Sequence, residues 1–197
     1  VKDLNGDCID DLVVSSNVSS GTESVYIIWG ARNLPLTVDL ANHDHDTRIL
    51  DSSSTYLPLE ITSLAGGDVN GDGNTDIIVT AFSGDVFVMN SDGQNFAGFP
   101  VNVGASIEGT PVVAKFDGDS LSGIIFGDST GKLHSVRSDG TESANFPITI
   151  GGNLKISAAL CDLDDDNDLD IVIPADTGYN AIDIKRSIQS LDWFCYL

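Results

Sequence analysis

The chain has 197 residues, of which 41% are hydrophobic, and 30 acidic against 9 basic residues give it a formal net charge of −21. This length suffices for one sizeable core, and so acidic a surface excludes nucleic acid and anionic membranes as expected partners, because both would be repelled. No run of 18 or more apolar residues occurs, which excludes a direct membrane span by such a segment.

The first element in chain order is an acidic loop, Asp3 to Asp11, that runs directly into the apolar stretch Leu12-Val13-Val14. Ca²⁺ takes about six to eight oxygen ligands at roughly 2.3–2.6 Å, and alternate side chains of a short loop can supply most of them. The pattern predicts side-chain ligands at loop positions 1, 3, 5 and 9 and a main-chain carbonyl at position 7. These are Asp3, Asn5, Asp7, Asp11 and the carbonyl of Ile9.

A strand at Val25 to Trp29 comes next, followed by a polar insertion at about 31–58 that carries His43 and His45. We interpret the two histidines as part of a solvated loop rather than as transition-metal ligands. The second acidic loop then repeats the first before the strand Ile77-Ile78-Val79, with Asp68, Asn70, Asp72, Asp76 and the carbonyl of Asn74 as predicted ligands. Gly71 stands where the loop needs a positive φ.

The third loop is degenerate and the fourth is complete. The third keeps Asp117 and Asp119 but has Lys115 at position 1 and Gly123 at position 9, so it lacks both end ligands. The Lys115 ammonium either pairs with the two remaining carboxylates or points to solvent, and both interpretations stay open. The fourth loop predicts Asp162, Asp164, Asp166, Asp170 and the carbonyl of Asp168 as ligands.

Loop starts at residues 3, 68, 115 and 162 reveal an internal repeat. Around each loop short stretches of alternating apolar residues lie between Gly-rich turns, which is typical of antiparallel strands, and no long helical period appears. Four-stranded units of about 40–50 residues are typical of a β-propeller. We therefore predict one all-β, partial propeller over residues 1–197, with about four blades at roughly 1–58, 59–106, 107–152 and 153–197.

Three other interpretations of the loops compete with a propeller calcium site. An EF-hand or a dockerin-like module needs an acid at position 12 and flanking helices, but position 12 is Val14, Val79 or Ile173, each inside a predicted strand. Asp and Asn also favour turns without any metal. Three loops in register, whose carboxylates would repel one another without a cation, favour about three bound Ca²⁺.

The motif Asp-x-Asn-Gly-Asp-x-x-x-Asp with its apolar strand, the strand end Tyr26 to Gly30 and the paired Asp-Gly…Phe-Pro segments resemble known repeats. They are similar to the FG-GAP repeats of integrin α-subunit propellers and to the VCBS-type repeats of bacterial secreted proteins. The resemblance covers residues 1 to about 184 and implies a calcium-stabilised propeller of six to eight blades outside the cytoplasm. Since only four loops are present, we expect a fragment of a larger propeller, attached to the rest of a parent chain.

The resemblance implies an extracellular, secreted or cell-surface module for adhesion or for recognition of protein or carbohydrate, not an enzyme. The alternative is the propeller portion of a secreted enzyme, such as a polysaccharide lyase or a hydrolase, since propellers host both kinds of function. Three cysteines form no zinc pattern or disulfide framework; Cys161 and Cys195 could pair, but we favour buried free thiols.

Overall fold

The computed structural model describes residues 3–16, 24–30, 47–48, 60–115, 122–163, 165, 169–176 and 178–183. Within these ranges every regular element is a β-strand, and the strands form four antiparallel sheets. This confirms the predicted all-β class and agrees with a propeller fragment. No helix in the described part of the chain is long and apolar enough to cross a membrane.

Each sheet is one blade, formed by strands that are consecutive in the chain. The first blade contains β1 (Leu12–Ser16), β2 (Ser24–Ile28) and β3 (Thr47–Arg48). The second contains β4 (Ile61–Gly67), β5 (Asp76–Ala81), β6 (Asp85–Met89) and β7 (Val101–Asn102). The third contains β8 (Val112–Ala114), β9 (Gly123–Gly127), β10 (Lys132–Val136) and β11 (Ile148–Thr149). The fourth contains β12 (Ala159–Cys161), β13 (Asp170–Ala175) and β14 (Gly178–Asp183).

The strands β5 and β9 are buried on both faces because the second and third blades are each packed between two others. Ile77 and Val79 of β5 belong to a core shared with Val25 and Ile27 of the first blade. Ile78, which alternates with them, belongs to a core shared with the third blade. Successive side chains of a strand point to opposite faces, so a run of apolar residues serves two interfaces at once.

The same arrangement continues from the third blade to the fourth. Ile124 and Phe126 of β9 pack toward the second blade, whereas Ile125 packs with Ile171 and Ile173 of β13. Three apolar cores therefore lie between the four blades, and burial of these side chains is the main stabilising contribution, at roughly 25 cal/mol per Å² of apolar surface.

A period of 47 residues is visible directly in hydrogen bonds between blades. Ser63 Oγ lies 2.7 Å from Thr110 Oγ1, and the amide of Thr110 donates to Ser157 Oγ at 2.9 Å. The three residues are 47 positions apart in sequence and occupy one equivalent place in the second, third and fourth blades. Equivalent residues thus contact one another across the interfaces.

The turns between the second and third strands of these blades also repeat. Gly84 and Gly131 have φ of +88° and +83°, and a Cβ at either position would collide with the carbonyl oxygen of Ala105 or Gly152. The peptide bonds Phe99–Pro100 and Phe146–Pro147 are both cis. Glycine is required at the turn for its left-handed backbone and for the close approach.

Several strands are shorter than the sequence patterns predict. The apolar patterns predict closing strands at Phe99 to Val103 and at Asn145 to Ile150 and an opening strand at Gly109 to Ala114. The structure reduces these to β7, β11 and β8. Pro100, Pro147 and Pro111 immediately precede them. Proline lacks an N–H for the ladder and is found at strand starts, so pairing begins after it.

The apolar residue at loop position 2 provides a test of blade packing. Val69 is 0% exposed in the core between the second and third blades, whereas Leu163, its equivalent in the fourth blade, is 54% exposed. We expect Val69→Ala to lower the free energy of unfolding by about 1–3 kcal/mol, because it removes methyl groups from a closed core.

The Leu163→Ala variant is the matched control and is expected to change the free energy of unfolding by less than about 0.5 kcal/mol, as usual for surface sites. Urea titrations of the two variants measure both values. Equal destabilisation by the two substitutions would contradict this description of the interface.

Candidate metal centre

The first two acidic loops share two internal hydrogen bonds at position 1. The carboxylate of Asp3 accepts the amides of Gly6 and Cys8, each at 2.7 Å. The carboxylate of Asp68 accepts the equivalent amides of Gly71 at 2.7 Å and of Gly73 at 3.0 Å. In both loops the position-1 carboxylate therefore holds the backbone of positions 4 and 6 in a tight turn.

Positions 3 and 5 are joined to each other in the same way in both loops. Asn70 Oδ1 accepts the amide of Asp72 at 2.8 Å, and Asn70 Nδ2 donates to Asp72 Oδ2 at 2.9 Å. The position-5 carboxylate, Asp72, also accepts the amide of Asn74 at 2.7 Å. The first loop has the corresponding bonds among Asn5, Asp7 and Ile9.

The position-9 aspartate closes the loop in three blades and lies at the start of the following strand or directly before it. Asp11, Asp76 and Asp170 are 3%, 2% and 5% exposed. Each accepts the amide of the apolar position-2 residue through one oxygen, at 2.7 Å from Leu4, 2.9 Å from Val69 and 2.8 Å from Leu163. A buried carboxylate is therefore held at the same point of each of these loops.

The turn geometry agrees with the predicted role of glycine at position 4. Gly71 has φ of +80° and Gly6 has φ of +79°, which confirms the expectation for Gly71. The fourth loop has Asp165 at this position with φ of +59°. At position 6 Gly73 has φ of +89°, whereas the first loop has Cys8, with φ of +66°. Left-handed backbone at Cys8 costs of order 1–2 kcal/mol because of its Cβ.

Replacing this cysteine gives a second prediction. Cys8→Gly is expected to raise the melting temperature by about 2–4 °C, corresponding to roughly 1 kcal/mol of relieved backbone strain. Differential scanning calorimetry measures the shift. Cys8→Ala removes the thiol but retains a Cβ, so it serves as the control, and an equal gain from both substitutions would contradict the strain argument.

The second loop places three carboxylates close enough to affect one another. Burial raises the pKa of Asp76 to about 6, and the negative charges of Asp72 and Asp68 add to that rise against the opposing hydrogen bonds from Val69 and Asn70. The amide of Asn74 and the side chain of Asn70 lower the pKa of Asp72. At neutral pH this loop concentrates ionised oxygen atoms around one buried carboxylate, which a cation would stabilise.

The donor set fits a hard cation by its chemistry, since each loop offers carboxylate and amide oxygens. Among the residues that the structure describes, no three His, Cys, Asp or Glu side chains lie together in a group able to hold a metal ion. The oxygens at positions 1 and 5 instead accept hydrogen bonds from loop amides. The metal ligands and Ca²⁺ remain predictions.

Parts of the predicted sites lie outside the described residues. Asp164, Asp166 and Asp168 of the fourth loop are among them, as are Asp117 and Asp119 of the third loop. The rest of the insertion around β3 also lies outside the described residues. So do Cys195 and the stretch Trp193 to Leu197, for which the sequence suggests a closing strand. Cys161 is a half-buried free thiol.

The third loop contributes a contact that sequence reasoning missed. Ser122, buried at its position 8, donates from Oγ to the main-chain carbonyl of Asp68 at 2.8 Å. This bond ties the start of β9 to position 1 of the second loop. Its signal in the sequence is weak, because serine is common in such loops and only the packing of neighbouring blades brings the two residues together.

Comparison with known families and structures agrees with this fold. Residues 61–98 match the FG-GAP repeat family, a segment that begins with β4 and includes the second loop. A comparison with curated protein sequences found no match.

Two solved structures are similar to the chain. The computationally designed Ika4 protein is 14% identical with a TM-score of 0.51, over 86% of this chain and 83% of that chain. BBS1N, crystallised in complex with ARL6DN and soaked with lead, is 13% identical with a TM-score of 0.58, over 91% of this chain and 48% of that chain. The chain thus spans about half the length of BBS1N, and at these identities the likeness concerns the fold alone.

Proposed function

We propose that this chain is a non-catalytic, calcium-binding β-propeller module that works outside the cytoplasm in adhesion or in recognition of a protein or glycan. The observation that supports it best is the shared construction of the loops. Two loops share the hydrogen bonds made by positions 1, 3 and 5, and position 9 is a buried aspartate in three. The position-2 amide compensates each buried carboxylate only in part, and a cation would compensate the remaining charge in all three loops.

The loops lie where a cation would stiffen the blades. The second loop connects β4 to β5, and the fourth connects β12 to β13. A cation bound by positions 1 to 9 would fix the first strand of each blade relative to its central strand. Such fixation would hold the neighbouring loops in place for binding a partner, because ordering a loop beforehand lowers the entropic cost of association.

Isothermal titration calorimetry of chelator-treated protein tests calcium binding. We expect about three Ca²⁺ per chain and much weaker uptake of Mg²⁺, because Mg²⁺ demands a near-ideal octahedral site and gives up its water reluctantly. Asp72→Ala removes the position-5 carboxylate of the second loop and should lower the stoichiometry by one.

The matched control is Asp92→Ala, which changes an exposed aspartate in the turn after β6, outside the acidic loops. It should bind as many ions as the unchanged chain. Absence of Ca²⁺ uptake, or uptake that Asp72→Ala leaves unaffected, would refute the assignment.

The recognition role requires a separate measurement. Glycan and extracellular-protein arrays probed with the labelled chain should give binding in Ca²⁺ that is lost in chelator and reduced in Asp72→Ala. Binding equal in Ca²⁺ and in chelator would separate recognition from the metal loops. No binding in either condition would count against recognition while leaving the calcium titration to decide the metal assignment.

A further inference from the structure

A line of three charged residues lies inside the third blade, away from the acidic loops. His134 on β10 is 3% exposed and Asp128, directly after β9, is 1% exposed. His134 Nδ1 lies 2.6 Å from Glu142 Oε1, and His134 Nε2 lies 3.2 Å from Asp128 Oδ2. The imidazole ring stacks on Phe126, with ring centroids 5.2 Å apart and an angle of 12° between the planes. One side chain therefore connects two carboxylates within the blade.

Counting donors and acceptors favours a doubly protonated imidazole. The Asp128 carboxylate already accepts the amides of Thr130 and Lys132, together with the Thr130 hydroxyl, at 2.8–3.0 Å. The other oxygen of Glu142 accepts the amide of Ser135 at 3.3 Å. Both carboxylates act as acceptors, so each ring nitrogen must carry a hydrogen. A neutral imidazole would leave one nitrogen lone pair facing a carboxylate oxygen.

The second blade has uncharged residues at the equivalent positions. The bridges Met89–Asn95 and Val136–Glu142 align the two blades, so Ala81, Phe87 and Asn95 correspond to Asp128, His134 and Glu142. Phe87 packs in the core toward the first blade, and Phe126, beneath the imidazole, packs in the core toward the second. The third blade thus carries titratable side chains at three positions where the second blade has apolar or amide side chains.

The surroundings of the imidazole contain few other charges. Asp128 faces it from the turn after β9, and Glu142 faces it from the segment after β10. The second-blade members of the adjoining core are apolar, including Ile78, Val86 and Val88. On the flanks of β10, Lys132 is exposed and Arg137 acts on Asp139. Burial opposes protonation of His134, and the two carboxylates are the charged groups that favour it.

We propose that His134 is a buried imidazolium that stabilises the packing of the third blade against the second. Loss of its proton at alkaline pH weakens this packing. The proton moves to water or buffer base, and the neutral ring then keeps one hydrogen bond and loses the other. Asp128 remains buried without its charged partner, which destabilises the interface between the second and third blades. This effect is independent of the acidic loops, since His134, Asp128 and Glu142 do not belong to them.

The electrostatic surroundings of His134 favour the protonated ring in the folded state. Burial by itself lowers the pKa of His134, but the hydrogen bonds and charges of Glu142 and Asp128 outweigh burial and raise the pKa above its usual 6.5. A raised pKa of a base means that the folded state holds the proton more tightly than the unfolded state. The contribution to stability is fully present below about pH 6.5 and is lost as pH rises through the folded-state pKa.

The same geometry argues against an acid–base catalytic role for these residues. Both ring nitrogens are occupied by carboxylates, and neither His134 nor Asp128 is open to solvent. A general base needs a free nitrogen within reach of a substrate proton. The set therefore fits an internal structural role.

Transplanting the second-blade residues into the third blade tests the proposal. The triple variant Asp128→Ala, His134→Phe, Glu142→Asn keeps the size and packing that Ala81, Phe87 and Asn95 show in the second blade. Urea unfolding in saturating Ca²⁺ at pH 6 and pH 9 compares it with the unchanged chain. We expect the unfolding equilibrium constant to rise about tenfold more with pH in the unchanged chain than in the triple variant.

His43 and His45 are present in both proteins, so their titration cancels in this comparison. Nitrogen-15 NMR of the unchanged chain provides a readout that does not depend on the variant folding. At pH 7 the ring nitrogens of His134 should both show the chemical shifts of protonated nitrogen. A neutral tautomer at pH 7, or the same pH dependence of unfolding in the triple variant, would overturn the proposal.

Discussion

Calcium at about 100 times its dissociation constant is expected to raise the free energy of unfolding by about 2.7 kcal/mol for each loop that binds it. The ion binds the folded loop and not the unfolded chain, so binding displaces the equilibrium toward the folded state. For a chain of this length about 1 kcal/mol raises the melting temperature by roughly 2–4 °C. Three occupied loops should therefore raise it by well over 10 °C, which calorimetry in Ca²⁺ and in chelator measures.

Two variants make this expectation specific. Asp72→Ala should lose about one third of the calcium-dependent stabilisation, because it disables one loop of three. Asp92→Ala, in an exposed turn, should keep all of it. A melting temperature that does not respond to calcium would contradict the prediction, as would equal losses from the two substitutions.

Asp76→Asn is expected to change the stability in opposite directions with and without calcium. In the metal-free protein at pH 7 the buried Asp76 must be ionised although its pKa is raised to about 6. Removing that charge should stabilise the metal-free protein by about 1–3 kcal/mol, since each pKa unit corresponds to about 1.36 kcal/mol. The amide oxygen of the introduced asparagine can still accept the Val69 amide, so the loop closure is retained. In saturating Ca²⁺ the same variant should be less stable than the unchanged chain, because it lacks a charged ligand.

The raised pKa of Asp76 also makes the free energy of unfolding depend on pH. Between about pH 4 and pH 6 the folded metal-free chain holds a proton on Asp76 that the unfolded chain has released. Stability of the metal-free protein should therefore fall as pH rises through this window. The stabilisation by Ca²⁺ should instead increase with pH, because the ion competes with the proton for the carboxylate.

Urea titrations from pH 4 to pH 7, in chelator and in Ca²⁺, measure both trends. Asp92→Asn is the matched control, since it removes an exposed charge by the same chemical change and should show neither effect. A metal-free Asp76→Asn variant less stable than the unchanged chain at pH 7 would contradict the argument.

The local features of this protein could be predicted from its sequence. The acidic loops carry their ligand pattern, their glycine turn and the following strand within a dozen residues, and their repetition indicates blades of one kind. Short-range sterics are sufficient for such features, since Gly71 at a positive φ and the alternation around Ile78 depend on neighbouring residues. The strand ends were predicted less well, because proline sets them through a missing ladder bond.

Only the tertiary structure decided which charges are buried and what faces them. Asp76 and Asp92 both follow or lie in acidic turns, yet of the two only Asp76 is buried, which raises its pKa. His134 and Asp128 read as ordinary polar residues of a strand and a turn until the pairing of β9 with β10 places them on one face with Glu142. Burial and the pairing of His134 with two carboxylates depend on how the whole chain packs. The loop pattern therefore determined the candidate metal sites, whereas the tertiary structure determined which charged groups are buried.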